Sequence, residues 1–342
     1  MTAMRTEIGQ QPAALRATLD ALMPRGGEAA ALARDCRQVL FIARGTSDNA
    51  AVYGSYLLQA HAGMLATLAS PSIATEYHAR MDLSGVLAVA LSQSGATEEI
   101  VETLDWAREC GARTLAITNG GGSPLTQVAD VAFVTAAGAE LAVPATKTFT
   151  TELAALAVLA IALGADLDPG LLAAVPDEIE RMLAAPDDLE PMVADLAGAV
   201  GVVVSGRGHA YAAALELALK LKEACYLHAM GLSWADLLHG PIAVVDANTP
   251  AIIVAADSGP ALPGSIDLAR RVVAAGARAY AIGGGPGLAA ASSLAVPGPR
   301  LPEWLAPLGL IVPGQLLTEA LSRRRGIDPD SPRGLSKVTQ TA

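Results

Sequence analysis

Ala107-Arg-Glu-Cys-Gly111-Ala-Arg113-Thr-Leu-Ala-Ile117 returns in outline as Val272-Val-Ala-Ala-Gly276-Ala-Arg278-Ala-Tyr-Ala-Ile282. Each copy reads as the end of a helix, a Gly-Ala turn and a short apolar strand, so the chain carries one plan twice. Working outward, Gly201-Val-Val-Val-Ser-Gly206-Arg-Gly208 matches Ile42-Ala-Arg-Gly45, and Ala251-Ile-Ile-Val-Ala-Ala-Asp257-Ser258-Gly259 matches the strand that ends at Ser92-Gln93-Ser94-Gly95. The spacing agrees: Gly45 to Gly95 is 50 positions and Gly208 to Gly259 is 51. We therefore expect two homologous units, 1–180 and 187–342, joined near Pro186 in the charged stretch Pro186-Asp-Asp-Leu-Glu-Pro191.

Within the first copy, short apolar runs ended by Gly or Ser predict strands at Gln38–Ala43, Val86–Leu91, Thr114–Ile117 and Val131–Val134. Helical spacing between and after them predicts helices over Asn49–Ala60, Glu98–Cys110 and Phe149–Leu163. Strands alternating with helices give an α/β fold, each unit a parallel, doubly wound (flavodoxin-like) sheet flanked by helices.

Composition narrows the function. The 342 residues are 52% hydrophobic but only 4% aromatic, which fits helices packed on parallel sheets and gives no stacking platform for bases. A net charge of -11 with no Lys/Arg cluster argues against nucleic acid as a partner. Cys36, Cys110 and Cys225 sit in apolar surroundings and read as buried, reduced thiols. The N-terminus has no apolar signal core, and the longest apolar run, Leu153–Leu163, falls short of the ~20 residues that span a bilayer. A cytoplasmic protein that neither enters a membrane nor uses a metal or cofactor is expected.

Ser92-Gln93-Ser94-Gly95-Ala96-Thr97-Glu98-Glu99 follows the strand Val86–Leu91 and opens a helix. Free N–H groups and the positive end of the helix dipole attract an anion there, and short hydroxyls complete its hydrogen bonds. The same residues would also serve as a polar cap, with Ser94 or Thr97 capping and Glu98 and Glu99 complementing the dipole. A second hydroxyl pair, Thr46-Ser47, follows the first strand, where ligands gather in open α/β sheets. The second copy offers Asp257-Ser258-Gly259-Pro260 instead, whose carboxylate repels phosphate, so the first unit is expected to hold it.

The second unit carries Glu216-Leu-Ala-Leu-Lys220-Leu-Lys222-Glu223 and His239-Gly240-Pro241. On a helix, Glu216, Lys220 and Glu223 share a face. Such a pattern is usually a solvated stripe of ion pairs, but these flanks are apolar, and a partly buried Glu beside a Lys can take up and return a proton. His239, fixed by the Gly-Pro turn, is either a structural turn residue or a rigidly presented imidazole.

These motifs, with Ala43-Arg-Gly-Thr-Ser47 and Val143-Pro-Ala-Thr-Lys147-Thr-Phe-Thr-Thr, resemble the sugar isomerase (SIS) family over nearly the whole chain, especially the isomerase half of glucosamine-6-phosphate synthase. The resemblance implies two tandem SIS units binding a small-molecule sugar phosphate. It implies that Thr46, Ser47, Ser92, Gln93, Ser94 and Thr97 hold the phosphate and that Val143 lies near the sugar. Glu223 then moves a proton between C2 and C1, Lys220 is the helix lysine, and His239 opens the ring from a neighbouring subunit of a homodimer with shared active sites. In the ending Asp328-Pro-Asp-Ser-Pro-Arg333-Gly-Leu-Ser336-Lys337-Val-Thr, Ser336 and Lys337 match a tail that folds over the sugar, whose lysine contacts, or forms an imine with, its carbonyl carbon. Pro144, Trp234-Ala-Asp236 and Leu238 depart from the family pattern.

The stretch Glu7-Ile-Gly-Gln-Gln-Pro12 already resembles the start of the SIS portion, so no ammonia-supplying glutaminase segment is expected before it. The ending Leu335-Ser-Lys-Val-Thr-Gln-Thr341 resembles stand-alone SIS-type glucosamine-6-phosphate deaminases. The expected reaction is therefore glucosamine 6-phosphate to fructose 6-phosphate and ammonia. The rivals are a galactosamine-6-phosphate deaminase/isomerase, a deglycase acting on fructosamine 6-phosphates, and a sugar-phosphate sensor without turnover.

Overall fold

The computed structural model describes residues 1–184 and 188–337, so the expected junction at Pro186 and the last residues of the 335–341 ending lie outside the described residues. Among the described residues ten strands form two five-stranded sheets, with every strand–strand pairing parallel. The first holds β1 (Gln38–Ile42), β2 (Leu65–Leu68), β3 (Val86–Leu91), β4 (Arg113–Thr118) and β5 (Val131–Val134) in the order β2-β1-β3-β4-β5. The second holds β6 (Gly201–Gly206), β7 (His228–Ser233), β8 (Ala251–Ala255), β9 (Ala279–Gly283) and β10 (Leu294–Val296) in the order β10-β9-β8-β6-β7. Each sheet places its second strand outside the first and its third on the other side. The duplication read from the 107–117 and 272–282 segments is thus a duplication of topology.

The chain folds as two compact units. The one built on β1–β5 takes Ala13–Glu140 and Lys147–Ala174, with Ser336 and Lys337; the one built on β6–β10 takes Met1–Pro12, Leu141–Thr146 and Val175–Leu335. Burial explains the sequence pattern. All six residues of β3 are buried, as expected of a parallel strand covered on both faces, and Ala88 and Ala90 pack with Ile100, Leu104 and Ala107 of the next helix. In the second unit, Val203, Ile253 and Ala281 of neighbouring strands pack with Leu268 and Val272.

Three strands, β2, β7 and β10, have no counterpart in the sequence reading, and the helix expected over Asn49–Ala60 starts earlier, spanning Gly45–His61. The reason is Gly45, whose φ of 57° lets the chain turn from strand to helix without a loop. Thr46 and Ser47 consequently lie in the helix's first turn. The cysteines also divide: Cys225 is buried, but Cys36 and Cys110 are half-buried, and all three are free.

Candidate functional site

β1 and β3 pair from Gln38↔Val86 to Ile42↔Ala90, and the chain leaves them toward opposite edges of the sheet. Their carboxyl ends therefore form the topological switch point, where the turns 43–47 and 92–97 meet. A two-pronged ion pair ties the turns together: Arg44 donates from Nε to Glu99 Oε2 at 2.9 Å and from its terminal nitrogen to Oε1 at 2.8 Å.

The hydroxyls in this crevice are held in place. Ser92 is buried, and its Oγ accepts the Gly95 N–H at 3.2 Å and lies 3.3 Å from Thr97 Oγ1. Ser94 Oγ accepts the Ala96 N–H at 3.2 Å, and the Gln93 carbonyl accepts the Asn119 N–H at 3.1 Å. Thr97 is the N-cap of the helix Glu98–Glu109, yet its hydroxyl makes no capping bond to that helix. Of the two readings of this stretch, a Thr97 side-chain cap is thus not the one adopted. Gly95 has φ 65°, and a Cβ there would lie 2.1 Å from Ser123 Oγ, so the turn admits only glycine. Thr46 is half-buried in the first turn of the helix Gly45–His61. Ser47, buried beside it, donates to the Glu152 carboxylate at 2.9 Å. Burial raises the Asp48 carboxyl above the ordinary aspartate range, with Arg44 pulling it the other way.

In the β6–β10 unit, the helix Tyr211–Cys225 presents Glu216, Lys220 and Glu223 on one face. The face is not a solvated stripe. Lys220 is 1% exposed, with Nζ 2.5 Å from Glu223 Oε2 and 3.4 Å from Glu216 Oε1, and Glu216 is wholly buried. The Glu223 side chain keeps 24% of its surface open. One ammonium therefore holds two carboxylates, a sealed one and one with an edge accessible to a ligand.

The same helix ends at Tyr226 in the left-handed conformation, φ 54°. The Tyr226 hydroxyl accepts the Arg333 N–H at 2.8 Å, and the Arg333 guanidinium lies 4.3 Å over its ring. The chain just before Lys337 is thus tied to the helix that carries Glu223. His239 is exposed at the end of the short helix Trp234–Leu238, its N–H donated to the Asp236 carbonyl at 3.1 Å, and Gly240 (φ 138°) and Pro241 turn the chain away. Val143 also belongs to this unit, where its N–H reaches the Asp330 carbonyl at 2.9 Å. Pro144 is buried, and the Glu7 carboxylate accepts the N–H groups of Leu141 and Ala142.

Lys337 belongs instead to the unit with the hydroxyl loops, and its Nζ lies 2.7 Å from Glu140 Oε2. Ser336 beside it is exposed. Sequence reading did not single out Glu140, Glu152 or Tyr226, and gave Glu99 only the part of complementing the helix dipole, not its pairing with Arg44. Each earns its place through a contact distant in sequence, and only the polar character of otherwise apolar stretches, as at Glu152 among Leu and Ala, hinted at one.

The architecture is a duplicated, doubly wound α/β fold with a hydroxyl-lined crevice at the strand ends of one unit and a Glu-Lys-Glu cluster in the other. The SIS domain family profile matches residues 32–162 and 195–293, and the chain belongs to that family. It is 35% identical to glutamine–fructose-6-phosphate aminotransferase (isomerizing) of Photorhabdus laumondii, over 98% of this chain and 58% of that protein. The chain thus spans a little over half the length of the curated relatives it matches. Among solved structures, a candidate phosphosugar isomerase from Silicibacter pomeroyi superposes with a TM-score of 0.88 at 33% identity, covering 96% of this chain and 100% of that one. The C-terminal domain of glucosamine-fructose-6-phosphate aminotransferase from Francisella tularensis gives 0.85 at 27% identity, covering 97% and 98%.

Proposed function

We propose that this chain isomerises an amino-sugar 6-phosphate and releases its amine, converting glucosamine 6-phosphate to fructose 6-phosphate and ammonia. The observation that carries the reading is the Lys220–Glu223 pair, a carboxylate fixed at 2.5 Å by a buried ammonium yet open along one edge. A base so restrained suits proton transfer between adjacent carbons, because its direction is set before substrate arrives.

In this reading Thr46, Ser47, Ser92, Gln93, Ser94 and Thr97 bind the phosphate, and Val143 and Ser336 flank the sugar. His239 protonates the ring oxygen as the ring opens. Glu223 takes the C2 proton and returns it to C1, leaving an imine at C2. Water adds to that carbon and ammonia departs, giving the ketose. Lys220 steadies Glu223, and Lys337 meets the open-chain sugar. The name of the curated relatives joins isomerisation, fructose 6-phosphate and amino transfer, which supports this reading. The hydrolytic direction requires only water as second reactant.

The exposed position of His239 suits a side chain offered to a second copy, which supports a homodimer with shared sites. The module limits 1–180 and 187–342 and a cytoplasmic location belong to the same proposal; the free thiols suit a reducing compartment. A second reading, plain aldose–ketose isomerisation without loss of an amine, is favoured by the Silicibacter pomeroyi relative. Incubating the purified protein with glucosamine 6-phosphate separates them: fructose 6-phosphate and ammonia in equal amounts support the deaminase, and neither product ends it. Galactosamine 6-phosphate, a fructosamine 6-phosphate and fructose 6-phosphate alone complete the panel.

A further inference from the structure

Glu140 has no part in the sequence reading, yet its side chain is wholly buried. Burying a carboxylate is costly unless its oxygens are occupied. Here Oε1 accepts the Thr148 N–H at 3.1 Å, in the first turn of the helix Lys147–Ala162, and Oε2 accepts the Thr148 hydroxyl at 2.7 Å. The helix start thus fixes the carboxylate's plane, and the positive end of its dipole favours the negative charge. Oε2 also receives the Lys337 ammonium at 2.7 Å. Among the described residues Lys337 lies outside any helix or strand, so this bond joins a rigid acceptor to an amine on an irregular segment.

We infer that Glu140 is the positioning residue for Lys337: it holds the ammonium in the unit that carries the hydroxyl loops and so sets where that amine meets a ligand. Its bearing on turnover rests on the proposed role of Lys337, whereas the hold itself does not. Glutamine is the discriminating substitution. It keeps the shape, but an amide cannot offer acceptors to the Thr148 N–H, the Thr148 hydroxyl and the Lys337 ammonium together, because one of its two heteroatoms only donates.

The hold is tested on the full chain by limited trypsin digestion, comparing by mass spectrometry cleavage after Lys337 with cleavage after Arg333. A lysine bonded to a buried carboxylate is withheld from the protease, so Glu140→Gln should raise the Lys337:Arg333 cleavage ratio about tenfold, the loss expected for one charged hydrogen bond. Thr148→Val, which loosens the carboxylate without removing it, should raise the ratio less and serves if Glu140→Gln does not fold. An unchanged ratio in both variants overturns the inference. For turnover, Glu140→Gln should lower kcat for glucosamine 6-phosphate about tenfold with KM little changed, and should add nothing to Lys337→Met. A kcat unaffected by Glu140→Gln but lowered by Lys337→Met overturns the positioning role. If Lys337→Met itself leaves kcat intact, the functional reading of Lys337 fails, and the digestion ratio alone decides the hold.

Discussion

Lys220 and Glu223 lie one helical turn apart with Nζ and Oε2 2.5 Å from each other, the ammonium sealed and the carboxylate partly open. The asymmetry divides their work. Lys220 also faces the buried Glu216 at 3.4 Å, so it neutralises the interior, while Glu223 keeps a face open.

Removing the lysine leaves a buried carboxylate without its counter-ion. Lys220→Met should destabilise the fold by about 3–5 kcal/mol, measured by urea unfolding, and adding Glu216→Gln should recover part of the loss. Glu223→Gln should cost under about 1 kcal/mol of stability, because that carboxylate is partly hydrated, while lowering turnover ~10²–10⁴-fold.

At the crevice, Gly95→Ala must place a Cβ 2.1 Å from Ser123 Oγ at a φ of 65°. Left-handed backbone costs a side chain about 1–2 kcal/mol, and relieving the collision moves the turn that carries Ser94 and Thr97. Inorganic phosphate should compete with substrate more weakly in this variant than in the parent; equal inhibition constants would remove the turn from the phosphate site.

Stability should also carry a pH signature from Glu303. Burial raises its carboxyl above the usual glutamate range, so over that interval the folded chain binds the proton and the unfolded chain does not. The stability it contributes is full below the ordinary glutamate pKa and is lost as pH rises through the elevated one. Glu303→Gln should therefore melt higher than the parent at pH 7, with the difference vanishing near pH 4. Glu178, lowered chiefly by its bond to Arg181, has the opposite sign, contributing stability that is lost as pH falls.

Burial pushes the Cys225 thiol up to about 12, and it donates to the Thr318 carbonyl at 3.4 Å. At pH 8 Cys225 should resist iodoacetamide until the chain unfolds, while the half-buried Cys36 and Cys110 react first, as peptide mapping would show.

The central strands were legible because a parallel strand covered on both faces must be a continuous apolar run, as at Val86–Leu91. The short strand Leu65–Leu68 was not: it pairs only with β1, and Leu65 is 54% exposed, so burial never shaped its pattern. β7, also at a sheet edge, is interrupted by Gly231 and carries exposed His228 and Met230. Hydroxyl-rich turns and the Glu-Lys-Glu spacing were visible because local geometry determines both. Their supports were hidden, since Ser47 meets Glu152 across 105 positions and Lys337 meets Glu140 across 197. Likewise Met1–Pro12 joins the β6–β10 unit through contacts such as Gln11 to Gln315 at 3.0 Å, which no periodicity encodes.

The proton transfer assigned to Glu223 is tested most directly by turning over glucosamine 6-phosphate in D₂O and reading C1 of the fructose 6-phosphate by NMR. The account predicts deuterium at C1 from exchange on the carboxylate in D₂O, or, when a C2-deuterated substrate is turned over in H₂O, direct return of that deuteron to C1, with neither seen for Glu223→Gln. A Glu223→Gln variant that moves hydrogen between C2 and C1 at the parent's rate would contradict it.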